Sequence, residues 1–472
     1  MKTASKLPIK IKRTPTPLTE EMIDSCPVVD THAHVQGTIT PYTAWELGIR
    51  NGFIRVEKQP DGTWQLKDGP NKIGKTDPAG TYSNIFCSEG GHPLRFDRSG
   101  KPVELAYNYY CVGDGHDKFS GFDAVMATVQ GHRHPPGGIR TPDDYHFVLT
   151  RYLESCVSQK VRYTEVLQNI HIAHVLNPKL PPLEARAFFF RLCHTIVKEF
   201  AAKGVELRFQ HCPNKTGKAN LAGDLATRSR EWPEWLKEAQ KIAPHVFVGL
   251  NSAGHEEEEQ KSGGPHAMQE AYTKASEAGF GCEAHAGEGV GVEHLLATIR
   301  ALPVTCIAHG VQVIESAKAI GEIREAGITL KMMPCINIAL GTPIHVKEVS
   351  GQPDVPHAKL LSDGTRNKSV VTKHIKDLSH HPFFALLREH KLPIALCTDN
   401  PGMGGEAYKH QVKILAGLEH TFPPAFKPLS AEELALCNMH AIHAAFCSPE
   451  IKRGLLKELS AWMQKYKIQV SR

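Results

Sequence analysis

The chain has 472 residues, of which 41% are hydrophobic and 22% are charged, a composition typical of globular proteins with a large buried core. Its formal net charge of +5 is small and spread along the sequence, which argues against nucleic-acid binding. Because no stretch approaches the roughly 20 apolar residues of a membrane span and the first residues lack the apolar segment of a signal peptide, we expect a cytoplasmic protein.

Short apolar, β-branched runs recur along the chain and predict eight strands. Helical patterns lie between most of them, and this alternation is typical of a parallel sheet built from βαβ units. Eight such units predict a (β/α)8 TIM barrel of the α/β class. A doubly wound open sheet is the alternative, but its Gly-rich phosphate loop is absent after the first strand. The predicted strands are Cys26–Asp30, Lys160–Leu167, Gly204–Phe209, His245–Leu250, Phe280–Ala286, Val304–His309, Gly327–Met332 and Leu392–Thr398. The predicted helices are Leu183–Ala202, Pro265–Ala278, Val290–Ala301, Val311–Ala326 and Pro382–His390.

Two stretches interrupt this alternation within what we predict to be a single domain over residues 1–472. Residues 50–115 hold turn signals between short alternating runs, which predict inserted hairpins. Residues 344–379 are polar and predict an inserted loop in the seventh βα unit. In a barrel, such insertions lie at the C-terminal face and shape the active site. Residues 406–468 predict a helical C-terminal extension.

Two histidines follow the first predicted strand, in the segment VVDTHAHVQG. His32 and His34 are two residues apart, so on an extended strand both imidazoles point to the same face. Imidazoles in this arrangement are natural ligands for a borderline metal such as zinc. The motif alone leaves metal binding and a purely structural role open.

Further chemically active residues stand at the ends of later predicted strands. His285 and Glu288 belong to the segment HAGE at the end of the fifth strand, His309 ends the sixth, and Asp399 ends the eighth. Each has an ordinary explanation when taken alone, such as an Asx turn for Asp399. Because the C-terminal ends of the strands converge in a closed barrel, we expect these residues to meet the two histidines of the first strand.

Together these segments resemble the adenosine deaminase branch of the amidohydrolase superfamily. The matching segments are HAHVQG, VRYTEV, AGHE, HAGEG, AHG, MPCINIALG and CTDNP, in the order of the family. The similarity covers roughly residues 26–48 and 116–465. It implies a (β/α)8 barrel with one catalytic zinc ion per chain that deaminates a purine by hydrolysis.

The resemblance implies that four side chains hold the zinc ion: His32, His34, His285 and Asp399. Such a set of imidazoles and a carboxylate also accepts other divalent ions. Related barrels with two metals use a bridging lysine at the end of the fourth strand. This chain has VFVGLNS there, without a lysine, so we expect a single metal ion.

The resemblance also implies the catalytic and substrate-binding residues. Glu288 would protonate ring N1 of the purine and His309 would orient and polarise the attacking water, with Asp399 completing the catalytic set. Gly254 would present its backbone to the purine ring and Asn400 would face N7. The implied substrate-binding set is His34, Gln36, Gly254 and Asn400.

The chemistry of deamination requires these residue types. Water must attack a ring carbon, and zinc lowers the pKa of a bound water toward about 7. A carboxylic acid must protonate the ring nitrogen and later deliver a proton to the leaving ammonia. Cytidine-type deaminases follow the same logic, but the CxxC half of their signature is missing from this chain.

The substrate is less well defined, because the chain departs from the family pattern at Gln36. The family usually has an aspartate there that contacts the ribose 5′-hydroxyl, whereas the branch acting on N6-modified AMP has an amide. An amide does not repel a phosphate as a carboxylate does, but it can also hydrogen-bond a 5′-hydroxyl. We expect adenosine or deoxyadenosine as substrate. The alternatives are AMP, N6-substituted AMP or another 5′-modified adenosine, and then adenine or another amino-heterocycle.

Three basic or histidine-rich pieces near the insertions could meet a phosphate, but such clusters are usually solvated. They are His132-Arg133-His134, Lys373-His374 and His380-His381. We expect His381 and the following proline to begin a helix instead. A catalytically silent binding protein on the same barrel is a remote alternative, because all the implied ligands and both proton-handling residues are present. The sequence leaves a homo-oligomer open.

Overall fold

The protein is built around one sheet of eight parallel strands. The computed structural model describes residues 15–73, 80–109, 118–130, 138–215, 224–347, 370–375, 377–404 and 407–470. The strands follow one another around the sheet in chain order, each pairing in parallel with the next. They are β1 (Val28–His34), β2 (Val161–Gln168), β3 (Glu206–His211), β4 (Phe247–Leu250), β5 (Gly281–Ala286), β6 (Cys306–His309), β7 (Thr329–Met332) and β8 (Ile394–Leu396).

The first and last strands meet just beyond the end of β8. The His34 N–H donates to the Asp399 carbonyl at 2.7 Å, and the Asp399 N–H donates to the His32 carbonyl at 2.9 Å. This pairing brings the two edges of the sheet together into a nearly closed barrel. The predicted (β/α)8 TIM barrel is therefore confirmed, and each of the eight predicted strands overlaps an observed one.

Helices surround the barrel and follow most of its strands. Within the described residues they are α1 (Glu20–Ser25), α2 (Pro41–Arg50), α3 (Lys118–Gln130), α4 (Pro142–Ser158), α5 (Ile172–Leu176), α6 (Pro182–Ala201), α7 (Leu225–Ser229), α8 (Trp232–Ile242), α9 (Glu256–Lys261), α10 (Gln269–Glu277), α11 (Val292–Ala301), α12 (Ala317–Ala326), α13 (Pro334–Leu340), α14 (Pro382–Arg388), α15 (Tyr408–Leu415), α16 (Ala431–Ala444) and α17 (Pro449–Lys465).

The apolar pattern of the sequence explains both kinds of element. Every residue of β1 and β7 is buried, as expected for parallel strands covered on both faces. The long helix α6 buries one stripe instead. Its buried residues recur at helical spacing and are Ala185, Phe189, Phe190, Cys193, Ile196 and Phe200.

Two predicted helices are each divided into a 3-10 turn followed by an α-helix. The predicted helix Pro265–Ala278 consists of a 3-10 turn at Pro265–Met268 and α10. The predicted helix Val311–Ala326 is divided at Ser316, whose backbone is extended and whose hydroxyl accepts from the Ala319 N–H at the start of α12. Serine favours such caps because its side chain competes for backbone hydrogen bonds.

Both insertions follow the C-terminal end of a barrel strand. After β1 and α2, Ile54–Lys58 and Trp64–Asp68 form an antiparallel hairpin. After β7 and α13, Pro343–Lys347 pairs with Val370–His374, so strands occupy part of the segment predicted as a loop. Residues 348–369 and 376 lie outside the described residues. That residues 1–472 form a single domain stays a prediction.

The C-terminal helices pack against the barrel strands. The Asn438 side chain on α16 accepts from the Val29 N–H of β1 at 3.2 Å. Beyond α16, Phe446 lies against the glycines of β4 and β5. A Cβ at Gly281 would come within 2.1 Å of the Phe446 ring, and one at Gly249 within 2.7 Å. These glycines therefore allow the C-terminal segment to pack closely on the two strands.

Among the residues that the structure describes, no helix has both the length and the apolar character needed to cross a membrane.

Candidate active site

Four side chains predicted as metal ligands meet at the C-terminal ends of β1, β5 and β8. His32, His34, His285 and Asp399 are all buried, and one ligand atom from each lies within 4.8 Å of the others. The His34 and His285 Nε2 atoms are 3.1 Å apart. The Asp399 Oδ1 atom lies 3.4 Å from His34 Nε2 and 3.7 Å from His32 Nε2.

The chemistry of these atoms fits a metal ion. His32 Nε2 and Asp399 Oδ1 are buried and have no hydrogen-bond partner in the part of the chain that the structure describes. A buried polar atom without a partner is costly, and a cation at this point would satisfy both. Three imidazoles and one carboxylate form a set typical of catalytic zinc and of similar divalent ions. The residues present therefore fit the metal that the sequence predicts.

Hydrogen bonds on the far side of the rings orient two of these histidines. His32 Nδ1 lies 2.5 Å from Glu283 Oε1, and His285 Nδ1 lies 3.0 Å from Asn251 Oδ1. An Nδ1–H that donates to an oxygen leaves Nε2 free to bind a metal. Burial lowers the pKa of His34 to about 4, so this imidazole is neutral at pH 7, which is the form that binds metals.

Two residues of the site have a left-handed backbone. His309 has φ of +66° and Asp399 has φ of +62°, a conformation that residues other than glycine rarely adopt. His309 is the last residue of β6, and Asp399 lies three residues beyond the end of β8. Such strain persists where the surrounding structure enforces it and is common at functional sites.

Glu288 and His309 lie side by side next to the metal-ligand cluster. The Glu288 Oε2 atom is 3.3 Å from His309 Nε2, and the Glu288 side chain is 23% exposed. Burial, together with the nearby carboxylates of Asp399 and Glu256, raises the pKa of Glu288 to about 8. Glu288 is therefore mainly protonated at neutral pH and able to donate a proton.

A chain of hydrogen bonds determines which His309 nitrogen carries the proton. The Asn337 Nδ2–H donates to His309 Nδ1 at 3.1 Å, and Asn337 Oδ1 accepts from His381 Nε2 at 3.3 Å. Burial lowers the pKa of His309 to about 4, so the ring is neutral. Because Nδ1 accepts, Nε2 carries the proton and points toward Glu288.

The residues predicted to bind substrate lie after the ends of β1, β4 and β8. Gln36 is half-buried and begins a 3-10 turn, Gln36–Thr38. Gly254 is exposed, with φ of +122°, which favours glycine there. The Asn400 side chain is buried, its Oδ1 has no hydrogen-bond partner among the described residues, and a Cβ at Gly37 would lie 2.0 Å from this atom. Their contacts with substrate, and that of His34, stay predictions.

The structure describes only some of the basic and histidine-rich residues considered for phosphate binding. His132-Arg133-His134 and the side chains of Lys373 and His374 lie outside the described residues. His381 caps α14, where its side chain accepts from the Phe383 N–H. The prediction that His381 begins a helix is confirmed.

Sequence analysis missed the buried charged residues that support the site. Glu283 and Lys331 are fully buried in β5 and β7, and their side chains lie 2.5 Å apart. Glu283 precedes His285 by two residues and so shares its face of the strand. A charged residue in an otherwise apolar strand, in this register, was the available signal. Lys215 and Glu256, also buried, carried no such local signal.

The chain is similar in sequence to known deaminases. A family model described as adenosine deaminase matches residues 133–368, which include the HAGE and AHG segments but neither HAH nor TDN. A curated adenine deaminase of Rhizobium johnstonii is 23% identical over 320 residues, covering 68% of this chain and 81% of that protein.

Two solved structures share the fold. The adenine deaminase of Arthrobacter aurescens superposes with a TM-score of 0.59 at 18% identity, covering 93% of this chain and 99% of that one. The N6-mAMP deaminase of Arabidopsis superposes with a TM-score of 0.59 at 15% identity, over 93% and 99% of the two chains.

Proposed function

Because the chain belongs to the adenosine deaminase family of hydrolases that act on C–N bonds, we propose that it is a zinc-dependent enzyme that deaminates adenosine or deoxyadenosine. The products are inosine or deoxyinosine and ammonia. The observation that carries this proposal is the contact of Glu288 with His309 beside four converging metal-ligand atoms.

The ligands of the zinc ion in this proposal are His32, His34, His285 and Asp399. When bound, zinc supplies Lewis-acid activation of a water molecule, lowering its pKa toward about 7. Convergence of the four ligand atoms and the unpartnered His32 Nε2 and Asp399 Oδ1 support this assignment.

Glu288 moves protons between the attacking water and the purine. Its carboxylic acid donates a proton to ring N1 while the water oxygen bonds to C6. The resulting carboxylate takes a proton from that water and delivers it to the C6 amino group. The C6–N bond then breaks and ammonia leaves. The proton remaining on the oxygen returns to the Glu288 carboxylate, which restores the acid and leaves a carbonyl at C6. The raised pKa of Glu288, about 8, suits a group that must donate and accept near neutral pH.

His309 holds the attacking water in place. Since its Nδ1 accepts from Asn337, its Nε2–H is the donor available to the water oxygen or to the Glu288 carboxylate. Asn400 and Gly254 complete the proposed site. The Asn400 amide can donate to the acceptor N7 of a purine, and the exposed backbone of Gly254 faces the ring.

A 5′-phosphorylated adenosine is the second candidate substrate, and Gln36 is the observation that favours it. This uncharged amide follows β1 where the resemblance places the 5′ end of the ribose. It presents no negative charge to a phosphate. The shared fold with an N6-mAMP deaminase and the similarity to a curated adenine deaminase keep both AMP-type substrates and free adenine in the test.

Ammonia or amine release across one substrate panel tests the proposal. The panel is adenosine, deoxyadenosine, AMP, N6-methyl-AMP, a 5′-thioether adenosine and adenine, each with zinc-loaded protein. We expect adenosine and deoxyadenosine to be turned over fastest. Turnover confined to AMP and N6-methyl-AMP would replace the first candidate by the second. No release from any of the six by zinc-loaded protein would contradict the proposed function.

A further inference from the structure

The backbone N–H groups at and after Glu288 donate to the carboxylate of Glu256. Glu256 accepts hydrogen bonds from the N–H groups of Glu288 at 3.2 Å, Gly289 at 3.0 Å and Val290 at 2.8 Å. Three backbone donors on one charged acceptor form a strong, directional contact. The position of this segment, and of the Glu288 side chain that it carries, therefore depends on Glu256.

Glu256 belongs to a buried ion cluster, which we call the brace: Lys215, Glu256, Glu259 and His294. The His294 ring lies between the two carboxylates, with Nε2 3.1 Å from Glu259 and Nδ1 3.6 Å from Glu256. Glu259 Oε2 is 2.6 Å from Lys215 Nζ. Burial lowers the pKa of His294, but its contacts with Glu256 and Glu259 outweigh burial and raise it. Lys215 and the His294 ring thus lie against the two carboxylates of the brace.

The brace contacts the HAGE segment at both ends. At one end, Lys215 Nζ donates to the His285 carbonyl at 2.7 Å. At the other end, Glu256 holds the N–H groups of residues 288–290. His285 and Glu288 are therefore fixed to the same group of charges, which sets the distance between a proposed metal ligand and the proposed acid.

The acidic run Glu256–Glu259 at the start of α9 supplies the two carboxylates of the brace. Glu256 and Glu259 are three residues apart, so they share one helix face, and both are buried. Glu257 is exposed, and Glu258 pairs with Lys261 at 3.0 Å. Two of the four glutamates, Glu256 and Glu259, thus belong to the brace. Glu257 lies outside it and offers a matched control on the same helix.

We infer that Glu256 is a positioning residue for the reaction, acting through the backbone of residues 288–290 and supported by His294, Glu259 and Lys215. The inference rests on the proposed function, because it assigns Glu256 a part in placing Glu288 against the substrate.

The test compares Glu256→Gln with Glu257→Gln in the full-length, zinc-loaded protein. Glutamine keeps the size of the side chain but removes the charge and turns an NH2 group toward N–H donors. We expect kcat for the best panel substrate to fall by about tenfold or more, as for loss of a hydrogen bond to a charged group. Bound zinc should stay at the wild-type level. Glu257→Gln should match wild type in both.

Amide hydrogen exchange of the peptide containing residues 287–291 provides a second readout that needs no substrate. The Gly289 and Val290 N–H groups should exchange about tenfold faster in Glu256→Gln and at the wild-type rate in Glu257→Gln. Should Glu256→Gln fail to fold, Glu259→Gln takes its place. Glu259→Gln keeps the hydrogen bonds between Glu256 and the backbone but removes the Glu259 charge that contacts Lys215 and His294. We therefore expect a smaller fall in kcat and a smaller increase in amide exchange than in Glu256→Gln.

Unchanged exchange, or faster exchange with kcat within about twofold of wild type, would overturn the inference. Absence of deamination by the wild-type protein would contradict the proposed function instead, and the exchange data would then still decide whether Glu256 holds the segment.

Discussion

Two polar clusters lie one above the other inside the barrel, and they differ in whether their ionisable atoms have hydrogen-bond partners. In the lower cluster, Lys331 donates to Glu283 at 2.5 Å and to the Thr31 carbonyl at 2.8 Å. Glu165 accepts from Tyr163 and Gln210, both at 2.7 Å. In the upper cluster, His32 Nε2 and Asp399 Oδ1 have no hydrogen-bond partner within the described ranges.

The difference separates a structural cluster from a ligand site. Buried charges that pair with one another need nothing further and hold the strands together. Buried ligand atoms that converge without partners need a cation to satisfy them. Glu283 joins the two clusters, since one carboxylate oxygen faces His32 and the other faces Lys331.

Removing a ligand of the upper cluster has the largest expected effect. His285→Ala deletes one of the four converging donors, so we expect loss of nearly all bound zinc and of turnover, with lower thermal stability because metal binding is coupled to folding. Metal analysis, kcat and a thermal melt measure this. His266→Ala, at an exposed histidine, is the control. A full zinc equivalent in His285→Ala would argue against ligand status.

Glu288→Gln is expected to separate chemistry from metal binding. The amide cannot donate a carboxylic proton, so kcat should fall by about 10²–10⁴-fold while the zinc content stays at the wild-type level. Glu293→Gln, at an exposed position on α11, should leave both unchanged. Near-normal turnover by Glu288→Gln would remove Glu288 from the role of acid.

Glu283→Gln tests whether the lower cluster supports the upper one, because Glu283 contacts both clusters. Without the carboxylate, the Nδ1–H of His32 loses its charged acceptor, and zinc affinity should fall by about 10–100-fold. Competition with a chromophoric chelator measures the affinity, and Glu277→Gln at the exposed end of α10 is the control. Wild-type affinity in Glu283→Gln would show that the lower cluster does not support the upper one.

The smallest effect is the pH dependence of the wild-type enzyme. Glu288 must be protonated to act as the acid, and burial raises its pKa to about 8. We therefore expect kcat to be lost as pH rises through about 8, rather than near the ordinary glutamate pKa of about 4.3. In Glu288→Gln the residual rate should lack this alkaline decrease. The same decrease in both proteins would assign it to another group.

The barrel and the convergence of the four candidate ligands could be predicted because both depend on local patterns, whereas the ligand role of these residues stays a prediction. Continuous apolar runs identify strands buried on both faces, and residues at the ends of such strands must converge. The division of the predicted helix Val311–Ala326 was missed, since a periodic apolar pattern does not reveal that Ser316 caps a new helix within it.

The supporting charges were harder to predict because their partners are distant in the chain. Lys331 pairs with a carboxylate 48 positions away, and Lys215 donates to a carbonyl 70 positions away. Each looks like an isolated charge in sequence. Only the order of strands around the barrel shows which charges meet, and that order depends on closure of the whole sheet.

Removal and return of the metal tests whether turnover depends on a zinc ion held by the four converging side chains. The protein is stripped with a chelator until metal analysis shows it to be metal-free, assayed on the panel, and then titrated with zinc. We expect no turnover after stripping and a recovery that reaches its maximum at one zinc ion per chain. Full turnover by verified metal-free protein would contradict this expectation.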